Sequence, residues 1–529
     1  MKILLEMREK AITNPIQNDN ADKFREIDLL ARKNYLSDII SAEKGAYLLL
    51  FSIALFMASI TAIVFLRDDR PVPTDTDDGR REFSEQKKSR RILLAALIAL
   101  VAFSFIIAKK AGENGAEEKG SLAKENPEAK SETKISNSEK FPELQEQKRN
   151  WPAFRGSLSS AISENPTPSP KHWNGNTGEN ILWKKNVPKA GNSSPVIWAD
   201  RLFLTGADTT ERKIFCFSTE TGEIIWTGDV KAGEDRSKDL NLFVDTGYAP
   251  STVATDGRYV CATFANGDMA CFDFQGSLLW AKNIGFPDNP YGYASSPIIF
   301  ENKVIIQYDN NNLHFVAAYN LADGREVWKT ERDVNPCWSS PTLAVTGKTT
   351  LLVLCGNPFT ACYDPLDGKE LWRNKCLFND LAISPAYCGD TIILPSEYNE
   401  MAAFSSDGKN VLWKTSDIMQ DVPTPLAAGN FVIFVASSGA VSCHSISTGE
   451  KLWEQSFPEG FYSSPVTAGG VVYLMDRKGT TQIFELKGEY SPLPSAELGE
   501  KCDTTPAFAR DRIYIRGADN LYCIGKKEK

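Results

Sequence analysis

The chain has 529 residues, of which 42% are apolar and 24% charged, with a formal net charge of −9. That composition is globular, not fibrous or disordered as a whole, and its acidic balance without a basic stripe excludes the electrostatic footprint of a nucleic-acid binder. With 3 histidines and 11 cysteines in the whole chain, there is little material for a metal cluster.

Residues 1–45 form an N-terminal segment. Within it Phe24, Ile27, Leu30, Ala31, Tyr35 and Ile39 recur at a loose helical period among charges, which reads as a short amphipathic helix. Residues 46–66 carry no charge and as a helix would run about 31 Å, enough to span a bilayer. Residues 67–91 are basic, with Arg67, Arg70, Arg80, Arg81, Lys87, Lys88, Arg90 and Arg91. Residues 92–108 are a second uncharged run, at the short end of the roughly 17–25 residues that cross a membrane. Two transmembrane helices are expected, with the basic loop in the cytoplasm by the positive-inside rule. The chain beyond residue 108 then lies on the periplasmic side of a bacterial inner membrane. Residues 109–149 are rich in Glu, Lys, Ser and Gly and read as a disordered linker with a reach of about 35 Å.

From residue 150 to 529 one phrase repeats, an apolar strand introduced by Ser-Pro or Thr-Pro. It occurs at Ser194-Pro195, a degenerate Ser251-Thr252, Ser296-Pro297, Ser340-Pro341, Ser384-Pro385, Thr424-Pro425, Ser464-Pro465 and Thr505-Pro506. Within Ser296 to Thr330, four β-rich runs are separated by Asn, Asp and Gly, the residues of tight hairpin turns. Four short strands per repeat of this length are the mark of a β-propeller, whose meanders bury their faces only by stacking around an axis. The expected fold is all-β, an eight-bladed β-propeller of four-stranded antiparallel blades.

The fourth strand of most repeats carries a tryptophan after a turn glycine: Trp226, Trp280, Trp328, Trp372, Trp413 and Trp453, with Trp183 ahead of the first repeat. One such residue per repeat reads as blade-to-blade docking. The seventh repeat offers Tyr490 and Leu493 instead. The last repeat ends three strands in, and an orphan strand at Ile181–Val187 precedes the first. That N-terminal strand is expected to complete blade eight and close the ring, removing its open edges.

No Cys-x-x-Cys, Gly-x-Ser-x-Gly, phosphate loop or EF-hand loop occurs, and His172, His314 and His444 stand apart from any nucleophile. Cys261 and Cys271 flank one turn and Cys355 and Cys362 another, so each pair could face across a hairpin. Buried packing is the simpler role for all four, and a disulfide would mark an oxidising compartment.

The phrases Asp323-Gly-Arg-Glu-Val-Trp328, Asp367-Gly-Lys-Glu-Leu-Trp372 and Thr448-Gly-Glu-Lys-Leu-Trp453, with the opening Trp151-Pro-Ala-Phe-Arg-Gly156, resemble the PQQ-repeat (pyrroloquinoline quinone-like) β-propeller family. The resemblance covers about 150–525. It implies either a quinoprotein dehydrogenase holding PQQ and calcium or a non-catalytic, BamB-like scaffold. The enzymes characteristically set a vicinal Cys-Cys disulfide against the quinone and use Glu, Asn and Asp for calcium and the base. This chain has no adjacent cysteines and no recognisable set of that kind. The reading is therefore a membrane-anchored scaffold with no catalytic, cofactor-binding or metal-ligating residues, and neither PQQ nor calcium expected. A PQQ-dependent quinoprotein dehydrogenase with a divergent site is the alternative. Protein or polymer partners are expected at one channel rim, on Tyr248, Tyr293, Trp338, Phe461 and Tyr462, and on the long segment 228–246 between the first two blades.

Overall fold

A computed structural model describes residues 141–529 apart from 165–168, 233–235, 348, 377–381, 397–399, 419 and 527–529. The segments expected before it lie outside the described residues: the amphipathic helix within 1–45, the spans 46–66 and 92–108, the basic loop 67–91 and the linker as far as 140. Among the described residues no helix is long and apolar enough to cross a membrane. The linker expected through 149 gives way to structure at Phe141, which packs against a buried cluster of blades 2 and 3. Helix α1 (Leu144–Lys148) comes next, with Gln147 buried. One aromatic gives this stretch something to bury, which its polar neighbours could not.

Eight sheets are arranged in a ring. Blade 1 spans 196–229, blade 2 254–283, blade 3 298–331, blade 4 342–375, blade 5 386–415, blade 6 426–456 and blade 7 466–497, while blade 8 joins 507–524 to 181–186. Blade 3 shows the local logic, with strands Ile298–Phe300, Lys303–Asp309, His314–Asn320 and Glu326–Glu331 in antiparallel register. Its two middle strands are buried almost throughout, because neighbouring blades cover both faces; a continuous apolar run is what such strands require.

In the fourth strand the register skips, so that Ala318 opposes Trp328 and Tyr319 opposes Glu326. Val327 is thereby bulged outward, 45% exposed, while Trp328 turns into the blade interface. The same skip precedes the other six tryptophans. Each of the seven indole N–H groups donates to a turn carbonyl of the next blade at 2.8–3.3 Å. In six of these turns a glycine lies on the ring: at Gly368, with φ +74°, an added Cβ would sit 2.3 Å from the Trp328 indole.

Ring closure uses the orphan strand. Ile181–Asn186 pairs antiparallel with Asn520–Ile524, Trp183 opposite Cys523 and Lys185 opposite Leu521. Blade 7, which lacks a tryptophan in its outer strand Pro492–Glu497, is reinforced on both edges by the N-terminal segment. Ile162–Ser163 adds a parallel fifth strand at its inner edge. At its outer edge the Glu497 carbonyl accepts the Gly175 N–H at 2.8 Å. Trp173, 1% exposed, stacks on Tyr473. Tyr473 holds the same place in its strand as Tyr514 and Phe203, the neighbours of Trp183 and Trp226. Trp173 thus fills the vacant docking position. Tyr490, the expected substitute, instead packs on Trp453 at 5.2 Å between ring centroids.

Candidate functional site

The repeated Ser/Thr residues meet at the axis. The backbone N–H of each donates to the side-chain hydroxyl of the next: Ser194 to Thr252, Thr252 to Ser296, Ser296 to Ser340, Ser340 to Ser384, Ser384 to Thr424, Thr424 to Ser464, Ser464 to Thr505, and Thr505 back to Ser194, all at 2.9–3.1 Å. The belt explains the repeated phrase. Proline holds the residue before it extended and has no N–H of its own, so the belt amide is the last donor before the first strand. In the degenerate copy it is Thr252, with Val253 after it, that takes the belt position.

Extended chain alternates its side chains with period two, and this sorts the mouth. Two positions before the belt, Asn192, Pro250, Ala294, Trp338, Ala382, Val422, Tyr462 and Asp503 line the same axial cavity as the belt hydroxyls, a space of about 140 Å³. Three positions before it, Ala249, Tyr293, Cys337, Phe461 and Cys502 are buried within the blades instead. Tyr293 and Phe461 are therefore 2% and 0% exposed, and they are not rim residues. Tyr248 packs against a cluster of blades 1 and 2 and does not line the cavity. Of the five expected rim aromatics, Trp338 and Tyr462 are the two that line it.

The opposite end is closed by the turn containing Phe154, which lines the cavity, and Arg155. The Arg155 guanidinium is fully buried and donates to the Pro425 carbonyl at 2.5 Å and the Pro385 carbonyl at 3.5 Å. Burial without a carboxylate pushes its pKa down to about 9. Ser159 donates to the Pro341 carbonyl at 3.5 Å. Arg155, Leu158, Ser159 and Ala161 all have φ between 56° and 61°, a left-handed conformation that non-glycine residues hold only where their surroundings enforce it.

At the open mouth the inter-blade segment 241–247 forms a strap. Asn192 donates to the carbonyls of Asp245 and Thr246 at 2.7 and 3.2 Å. Arg477 of blade 7 binds the Asp245 carboxylate at 3.0 Å and that of Asp503 at 2.8 Å, with its guanidinium 3.9 Å from the Tyr462 ring centroid. On the other side Phe243 meets Tyr291, which meets Trp338, at centroid distances of 5.1 and 4.4 Å. The Trp338 indole donates to Asn289 at 3.3 Å. The strap presents Phe243 and Val244 outward, 51% and 96% exposed.

Parity counted from each Ser-Pro step would have separated Trp338 and Tyr462 from Tyr293 and Phe461. Nothing in the sequence flagged Arg477 or Tyr291, which reach the mouth from other hairpins. The second cysteine pair is also rearranged: Cys362 faces Val353 across its ladder. Cys355 lies two residues beyond Val353, past the last ladder pair Leu354–Ala361, and its carbonyl accepts from Gln307 and Arg332.

The sequence model described as outer membrane protein assembly factor BamB matches residues 172–313, 314–429 and 410–490. No curated protein matches the chain in sequence. Among solved structures it is similar to BamB from Moraxella catarrhalis, at 17% identity and a TM-score of 0.50 over 66% of this chain and 98% of that one. It is similar also to the quinohemoprotein alcohol dehydrogenase from Comamonas testosteroni, at 13% identity and a TM-score of 0.57 over 72% and 82% of the two chains. A europium-containing methanol dehydrogenase gives 11% identity and 0.54 over 72% and 100%. At such identities the likeness is one of fold. The sequence match spans more than half of the residues, and the chain belongs to the PQQ-repeat β-propeller family of the outer membrane protein assembly factor BamB.

Proposed function

We propose that this propeller is a membrane-anchored, extracytoplasmic scaffold that binds a protein or polymer partner at the strapped mouth and catalyses no reaction there. The observation that carries the reading is the shape and lining of the axial cavity. It is closed below by Phe154 and Arg155, and at about 140 Å³ it falls short of the roughly 300–1,000 Å³ of a small-molecule cleft. Among the described residues Asp503 is the one carboxylate in its lining, and it is already paired with Arg477. A quinone held with calcium needs several oxygen ligands and a free base, and this set does not fit them. The exposed Phe243 and Val244 beside Trp338 and Tyr462 are of the kind that anchor protein interfaces. The net charge of −9 supports leaving nucleic acid out of the partner class.

Anchoring through 46–66 and 92–108 belongs to the same proposal, with the basic loop 67–91 inside and the propeller on the periplasmic side. Protease added to intact spheroplasts is expected to remove the propeller; protection would place it in the cytoplasm. A photo-crosslinking residue at Val244 is expected to capture a partner in cells, and Trp338→Ala with Tyr462→Ala to reduce that capture. Unchanged capture in the double variant would remove the mouth as the binding surface. Full-length protein mixed with PQQ and calcium is expected to show no bound quinone absorbance and no dye reduction with alcohols or sugars. Either signal would favour a dehydrogenase, the reading that the fold shared with the two dehydrogenases keeps open.

A further inference from the structure

Cys261 and Cys271 stand directly opposite one another on adjacent antiparallel strands of blade 2, Tyr259–Thr263 and Asp268–Asp273. Their sulfurs are 2.7 Å apart, closer than two unbonded sulfur atoms ordinarily approach. Opposed Cα atoms of an antiparallel ladder lie about 4.5–5.5 Å apart, within the roughly 4.4–6.8 Å that a disulfide spans without backbone movement. Blade 2 also has the weakest innermost strand. Ala254–Thr255 is 2 residues long, whereas the first strand of every other blade has 3 or more. A covalent tie between its second and third strands would hold the hairpin that the short inner strand supports least.

We infer that Cys261 and Cys271 are a disulfide site, closed during folding by a disulfide-bearing oxidant of the extracytoplasmic compartment. One cysteine thiolate attacks a sulfur of the oxidant disulfide and expels that oxidant's other sulfur as a thiolate. The second cysteine thiolate then attacks the mixed disulfide, forming the Sγ–Sγ bond and releasing the oxidant fully reduced. Two electrons and two protons leave the pair, and the oxidant disulfide becomes two thiols. The bond has to form before blade 2 is enclosed, because both side chains are 0% exposed in the finished ring. Burial there also raises the Cys261 thiol pKa well above its ordinary value, which withholds the attacking thiolate.

The oxidant comes with the extracytoplasmic placement proposed above, and the experiment separates the two ideas. The full chain is made in its own host, in cells with a reducing cytoplasm, and in cells with an oxidising cytoplasm. Each sample is unfolded in iodoacetamide without reductant and digested with trypsin. Cys261 and Cys271 share the peptide 259–282, which is expected two hydrogens lighter and unalkylated from the host and from the oxidising cytoplasm, and doubly alkylated from the reducing one. A bridge from the oxidising cytoplasm alone keeps the cysteine site and overturns the periplasmic placement. Double alkylation from the oxidising cytoplasm overturns the disulfide site. Oxidised glutathione added to the folded, reduced protein is expected to leave the peptide open, and bridging there would overturn closure before docking.

Discussion

The Thr505 N–H donates to the Ser194 hydroxyl at 3.1 Å across 311 residues of chain. This bond closes a cyclic belt of eight, each linking one blade to the next, so every blade is tied at the axis and all but blade 7 also by an outer-strand tryptophan. Its members are side-chain hydroxyls that serve no strand ladder. Their spacing around the axis is therefore set by the number of blades.

Removing one belt hydroxyl strands the amide that used it. Ser194→Ala should lower stability by about 1–3 kcal/mol, the cost of an unsatisfied buried donor. Ser194→Thr should be nearly neutral, since threonine already serves at 252, 424 and 505. Denaturant midpoints of the two variants check this, and equal losses would remove the hydroxyl as the cause.

Truncating a docking tryptophan opens a cavity between blades, so Trp328→Ala should cost about 3–5 kcal/mol. Approach from the other side is as sensitive. Gly368→Ala forces a Cβ against the Trp328 ring from a left-handed backbone and should cost ~1–3 kcal/mol or more. Thermal unfolding of the two variants tests the contact from each partner.

The Trp173 indole N–H has no hydrogen-bond partner among the described residues, whereas that of Trp328 donates to the Pro365 carbonyl at 3.3 Å. Trp173→Phe should therefore cost less than Trp328→Phe, by about 1 kcal/mol. Trp173→Ala should still be severe, near the ~3–5 kcal/mol of a buried aromatic, and should loosen blade 7 first. Hydrogen exchange resolved by blade reads that order.

His444 is fully buried, with Nδ1 3.0 Å from the Gly449 carbonyl and Nε2 2.9 Å from the Ser442 hydroxyl. Burial lowers its pKa below the ordinary 6.5. The folded protein thus binds fewer protons at this site than the unfolded chain between the folded pKa and 6.5. Stability should fall as pH drops through that window and become independent of this group below it. Denaturant midpoints at pH 7 and pH 5 should differ less in His444→Gln than in the natural protein.

Much of the fold was legible because it is repeated. The Ser-Pro steps, the glycine-spaced tryptophans and the orphan strand at Ile181 each recur or find a complement, so eight blades and their closure emerge from counting. The mouth was legible in part. Aromatic character alone grouped Tyr293 and Phe461 with Trp338 and Tyr462, and strand parity then divided them. Residues that meet the mouth from distant hairpins carried no mark, because Arg477 and Asp245 are neighbours only once the ring is closed.

The sequence by itself determined the repeat, the alternation within each strand and the places where aromatic rings would be buried, since these depend on local periodicity and turn chemistry. The tertiary structure alone decided that the belt is cyclic, that Trp173 repairs blade 7 and that Arg155 seals one end of the axis. It also decided which cysteines stand opposite one another. These depend on the angle between successive blades and on where the returning chain lies, and closing a ring fixes both at once.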